Sequence, residues 1–217
     1  MTVAGRALLV GREDHLAAAT SATLRGAGWD VMSCPLDRVA PGDLGVDVPD
    51  GDASLGLAVF TGGPYGGGRV DEQDPEGWWD IVHGNLTVAF KLARSVHGTL
   101  AHSHGALLFV SSLQGLVGVP ACSAYCAATA GIVGLTKALA AELRPDVRVA
   151  AVVPALPLPE GTYGSPNVDW SGLVADPIEG ERAVARATAR TIAFLASDHE
   201  GAFSGQVIPV PHGVASL

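Results

Sequence analysis

The chain has 217 residues, 48% of them hydrophobic, a length that fills one well-buried domain and falls short of two. A formal net charge of -9 with only 13 Lys and Arg excludes a surface built for nucleic acid or an anionic membrane, because phosphate recognition rests on clustered cations. Three cysteines make an odd set rather than a disulfide framework, no signal-peptide pattern opens the chain and no uninterrupted apolar run spans a bilayer, so a soluble cytoplasmic protein is expected.

In chain order, residues 7–10 read as a short apolar strand, 15–25 as a helix at helical spacing, and Gly26-Ala-Gly-Trp-Asp-Val-Met as a turn into a second strand. The stretch 35–54 carries Pro, Gly and Asp at turn spacing and reads as loop. A buried strand is predicted over 55–60, followed by the glycine-rich connector Thr61 to Arg69, whose amides could also cradle an anion. Beyond it come a helix over 77–97, a strand over 106–110, and an alanine-rich helix over 123–143. Strands over 147–153 and 206–210, with a helix over 180–196 between them, complete the pattern. Strands alternating with helices predict one α/β domain over 1–217, a doubly wound parallel sheet with helices on both faces.

Ser112 at the end of the fourth strand and Tyr125 on the following helix, with Asn85 in Trp78-Trp79-Asp80-Ile-Val-His-Gly-Asn, make this chain resemble the short-chain dehydrogenase/reductase family. The segments Arg148 to Pro154 and Phe194 to Val210 resemble the same family. The resemblance implies a Rossmann-like fold and a tetrad in which the tyrosine is the general acid/base and the serine orients the substrate oxygen. It also implies a lysine four residues after the tyrosine, to lower the phenol pKa and bind the nicotinamide ribose. Thr129 stands there instead. Of the two lysines in the chain, Lys137 is about 18 Å along the helix from Tyr125 and Lys91 lies off the Asn85 face of another helix. The interval after the second strand is also short beside the family's, as if an element were missing.

A dinucleotide's diphosphate is held where glycines let the backbone of a strand-to-helix turn approach it. Here the turn reads Gly11-Arg-Glu-Asp-His, with no glycine from 12 to 25. Glu13 and Asp14 are expected in the first helical turn, where like charges about 4 Å from a phosphate would cost roughly 4 kcal/mol. Arg12 is the counterweight. The expectation drawn from this turn is that no nicotinamide coenzyme binds.

The leading expectation is therefore coenzyme-independent acid/base chemistry (dehydration, cyclisation or isomerisation) on a small carbonyl or hydroxyl metabolite. Ser112 would hold the oxygen, Tyr125 would exchange the proton and Asn85 would order a water. Gln114, Thr129, Tyr163 and Trp170 are expected around the substrate, and no metal site is expected. Two alternatives stand beside it. One is a non-catalytic subunit in a homo- or hetero-oligomer with related chains, and the other is an NADP-dependent ketoreductase with an altered coenzyme turn. Cys122 and Cys126, four residues apart at a helix start, read mainly as buried packing residues, although a helix N-terminus can lower a thiol pKa. His212 reads as a surface or subunit-contact residue.

Overall fold

A computed structural model describes residues 5–39, 55–154 and 177–210. Among these residues six strands form one all-parallel sheet: β1 (Arg6–Gly11), β2 (Asp30–Pro35), β3 (Leu55–Gly62), β4 (Ala106–Val110), β5 (Arg148–Pro154) and β6 (Val207–Val210). Their order is β2-β1-β3-β4-β5-β6, so successive connections run outward in opposite directions from the boundary between β1 and β3. At such a switch point the carboxyl ends of the strands leave a crevice for ligands. Among the described residues β2 is the edge strand on that side.

The helices are α1 (His15–Gly26), α2 (Pro75–Val82), α3 (Val88–Ser103), α4 (Ser123–Glu142) and α5 (Pro177–Ala196). Strand side chains alternate between two apolar layers. Leu8, Val10, Ala58, Phe60, Leu107 and Phe109 pack with Leu92, Val96 and Ile132 from α3 and α4. Ala7, Leu9, Leu57, Val59, Leu108 and Val152 pack with Leu16, Leu24 and Ile192 from α1 and α5. Both faces of β1, β3 and β4 are buried, which explains why those strands are continuous apolar runs rather than alternating ones. Phe60 and Phe109 are fully buried, and truncating either to Ala would cost about 3–5 kcal/mol.

The helix predicted over 77–97 is in fact α2 and α3 joined by a π-helical turn at His83–Thr87. It starts earlier than expected because Asp74 caps it, accepting from the Gly77 amide at 2.9 Å, with Pro75 at the first helical position. It runs on to His104, which closes it in the left-handed region at φ 49. The π turn surrounds Asn85, whose side chain leaves the helix to bind backbone next to β3. Extra helical turns of this kind recur at functional sites.

By length and composition α4 is the one described helix apolar enough to cross a membrane. Its stripe Ala124, Ala128, Ile132, Thr136 and Ala140 is buried, the pattern of a core helix.

Candidate active site

Three strand ends and the start of one helix build the site. β1 ends at Gly11, which lies so close to β3 that a Cβ on it would meet the Thr61 hydroxyl and the Gly62 carbonyl. Arg12 follows and donates its amide to the Gly62 carbonyl at 3.1 Å. β3 ends in Thr61 and Gly62, and β4 is followed by Ser111 and Ser112, both buried. α4 then brings Tyr125 back over the Ser112 end of the sheet.

Ser112 follows β4 and Tyr125 lies in the first turn of α4, and the Ser112 hydroxyl acts to lower the Tyr125 pKa. Ser112 also donates to the Gln114 side-chain oxygen in a short contact, so Gln114 is part of the same buried polar cluster. The Tyr125 ring packs edge-on against Tyr65 with centroids 4.7 Å apart. Burial pushes the Tyr125 phenol above its ordinary pKa; the Ser112 hydroxyl and the Arg12 guanidinium pull it down, while Cys122 and Asp14 push it up. Arg12 is thus a cation within electrostatic reach of Tyr125. By sequence Arg12 reads only as a phosphate ligand, and the lysines are the candidate partners of the phenol. The signal was its place as the first residue past β1, on the same edge of the sheet as Ser112.

Thr129 is buried and donates back to the Tyr125 carbonyl oxygen at 2.7 Å, so its hydroxyl faces its own helix. Ser111 donates to the Thr129 carbonyl at 2.8 Å, and a Cβ on Gly115 would crowd the Thr129 backbone at 2.7 Å. The space a lysine would need is closed by the turn Leu113–Gly115. Thr129 thus sits one turn beyond Tyr125 with its hydroxyl engaged by its own helix. Lys137 lines a different hollow with Arg144 and Gly205, near the amino end of β5.

Asn85 is buried and donates to the Pro64 carbonyl at 2.8 Å and the Ile81 carbonyl at 2.9 Å, while its oxygen accepts from the Gly63 amide at 3.0 Å. Both amide hydrogens are engaged by backbone, so only one lone pair is left to meet a water. Its role in this geometry is to fasten the glycine-rich connector to the π turn. The connector is correspondingly close-packed: a Cβ on Gly63 would collide with the Gly84 carbonyl, and one on Gly67 with the Ala121 carbonyl. Tyr163, Trp170 and His212, and the loop reading for 40–54, lie outside the described residues.

At the β1–α1 turn, Asp14 is the N-cap of α1 and Glu13 precedes it, so the first helical turn holds no acidic residue. This corrects the expected pair of carboxylates there. Asp14 has extended backbone, and one carboxylate oxygen accepts from the Leu16 and Ala17 amides, each at 3.0 Å. The other accepts from Arg12 Nη2 at 2.8 Å. Of the two carboxylates expected to oppose a phosphate, Asp14 is therefore paired with Arg12, whereas Glu13 remains on the turn. Beside it a cavity of about 370 Å³ opens at the carboxyl ends of β1 and β2, lined by Gly11, Arg12, Ser21, Arg25, Ser33 and Thr61 among others.

Cys122 and Cys126 flank Tyr125 along the chain, and the Tyr65 hydroxyl lies 4.0 Å from Cys122 Sγ. Burial and the neighbouring Cys126 push the Cys122 thiol up to about 12, the reverse of the lowering a helix N-terminus alone would give.

Residues 55–215 match the family described as Enoyl-(Acyl carrier protein) reductase. A Streptomyces violaceoruber protein named as a ketoacyl reductase of the granaticin polyketide synthase is 29% identical, over 97% of this chain and 84% of its own length. A Xanthobacter autotrophicus protein named inactive 2-(S)-hydroxypropyl-CoM dehydrogenase 2 is also 29% identical, over 96% of this chain and 94% of its own. A Brucella ovis oxidoreductase, a short-chain dehydrogenase/reductase solved with a partially ordered NAD, superposes with a TM-score of 0.70 at 21% identity, covering 95% of this chain and 99% of that one. These relatives overturn the expectation of coenzyme-independent dehydration, cyclisation or isomerisation, and with it the expectation that no nicotinamide coenzyme binds. The electrostatic premise is weakened at the same place, because one of its two carboxylates, Asp14, is paired with Arg12.

Proposed function

The chain belongs to the short-chain dehydrogenase/reductase family, and on that premise we propose that it is a nicotinamide-dependent oxidoreductase of the ketoreductase type, acting on a small carbonyl or hydroxyl substrate. The observation that carries this reading is that buried Ser112, just after β4, and Tyr125, in the first turn of α4, stand at the same carboxyl edge of the sheet as the cavity beside β1 and β2.

The residues present fit the nucleoside end of such a coenzyme: the cavity is of suitable size and carries the donors of Arg12, Arg25, Ser21 and Ser33. At the diphosphate end the Leu16 and Ala17 amides are already taken by Asp14, so a phosphate would have to share the Arg12 guanidinium with Asp14. A nicotinamide held there supplies the hydride.

The remaining steps belong to this chain. Ser112 turns its hydroxyl from Gln114 to the substrate oxygen and holds it beside the phenol. Tyr125 gives its proton to that oxygen as negative charge develops on it. Arg12 pulls the phenol pKa down, in the direction a lysine would, but burial outweighs it and the phenol stays raised. Trp79 and Phe90, exposed apolar side chains on α2 and α3, support assembly with a second copy or a related chain through that face.

A second reading, a non-catalytic subunit, is supported by the raised Tyr125 pKa, by Thr129 at the lysine position and by the relative named inactive. Calorimetric titration of the purified chain with NADPH and with NADH separates the two. Saturable binding that is lost in Arg12→Ala is expected of the oxidoreductase, whereas no heat at millimolar coenzyme would remove that reading.

A further inference from the structure

Cys122 and Cys126 take no part in the oxygen chemistry, yet they bracket Tyr125. Cys122 is the fully buried N-cap of α4, and Cys126, half-buried, donates its amide to the Cys122 carbonyl at 2.8 Å. Both side chains line one hollow of about 390 Å³, together with Gly68, Arg69, Val119 and Ser123.

Cβ atoms four residues apart on a helix stand about 5–6 Å from each other, and a disulfide requires about 3.5–4.5 Å. Closure therefore needs a movement of the order of 1–2 Å in the first turn. The soft element for that movement is at hand. Cys122 is outside helical geometry at φ -135 and ψ 24, and the residue before it, Ala121, is held in the left-handed region at φ 56, which is strained for a side chain larger than hydrogen.

We propose that Cys122 and Cys126 form a reversible modification site: a dithiol that a small hydroperoxide entering this hollow oxidises to an intramolecular disulfide. Cys126, the thiol less deeply buried, reacts first as its thiolate. Its sulfur attacks one peroxide oxygen, the S–O bond forms, the O–O bond breaks, and the departing oxygen takes a proton to leave as an alcohol, or as water from hydrogen peroxide. The Cys122 sulfur then attacks the sulfenic sulfur; the S–S bond forms, the S–O bond breaks, and water leaves with the Cys122 proton. Two electrons and two thiol hydrogens pass to the peroxide, and a dithiol reductant reverses the change. Cys122 keeps its proton until this second step because burial and its neighbour hold its pKa at about 12. The turn that tightens is the one that carries Tyr125.

The test follows covalent state and so is independent of any turnover. The full chain, in a Cys34→Ser background, is treated with hydrogen peroxide, alkylated, digested and mass-mapped. The expected product is a peptide spanning both cysteines that has lost two hydrogens, escapes alkylation and becomes alkylatable after dithiothreitol. Cys126→Ser should leave Cys122 fully alkylatable. Full alkylation of both thiols after peroxide, over-oxidation of Cys126 without closure, or bridges only between chains would each overturn the proposal.

Discussion

Thr129 donates its hydroxyl to the carbonyl oxygen of Tyr125, one turn back along α4, and so turns away from the phenol whose helix it shares. Behind it, Ser111 holds the Thr129 carbonyl and Gly115 presses on its backbone. Restoring a lysine at this position should therefore not restore a tetrad. Thr129→Lys is expected to lose roughly 1–3 kcal/mol of stability from overpacking and a charge forced into a closed space. Urea unfolding reads the loss. A variant as stable as the parent, with faster turnover, would show that the space opens.

Asp14 both caps α1 and places a negative charge at the helix start. Asn caps as well as Asp, so Asp14→Asn preserves the bonds to Leu16 and Ala17 and removes only the charge. It also frees the Arg12 guanidinium from its ion pair. Coenzyme affinity should rise about tenfold, equal to about 1.4 kcal/mol, with little change in melting temperature. Unchanged or weaker affinity would mean that the diphosphate does not lie near Arg12.

Two of the three backbone bonds of Asn85 tie the connector after β3 to the π turn, and the third holds the Ile81 carbonyl of α2. Asn85→Ala leaves the Gly63 amide and two carbonyls short of partners in a buried place and should cost about 2–4 kcal/mol. Chemical denaturation measures it. If stability is unchanged while turnover collapses, Asn85 serves a proton relay instead of the scaffold.

The pH dependence follows from the direction of the Tyr125 shift. Burial raises the phenol pKa, so the protonated form persists past the ordinary value of about 10. Carbonyl reduction, which uses the protonated phenol, should stay level from about pH 6 to 9 and fall only above about 10. The reverse oxidation, which uses the phenolate, should climb through the same range without a plateau. A plateau in oxidation near neutrality would mean that a cation has lowered the phenol after all.

The strands and the Ser112–Tyr125 pair were legible because buried parallel strands are apolar runs and because the spacing from a strand end to a helix start is local. The π turn was not legible, since it answers to backbone at Gly63 and Pro64, some twenty positions earlier, and leaves the apolar period of the helix almost intact. Glu13 and Asp14 were read as two repelling charges because sequence gives adjacency without geometry. A cap and an ion pair convert Asp14 into a neutralised group, which weakens the premise behind the conclusion of no coenzyme. The influence of Arg12 on Tyr125 was hidden for a similar reason: the two are brought together only by the sheet order.

The most direct measurement is the loss of NADPH absorbance when the purified chain is mixed with a panel of small ketones and β-ketoacyl thioesters, alongside Tyr125→Phe. Hydride transfer with at least one carbonyl is predicted, reduced by about 100-fold or more in the variant, which retains coenzyme binding. NADPH left unoxidised across the panel and unbound by calorimetry, or equal rates in Tyr125→Phe and the parent, would contradict the account.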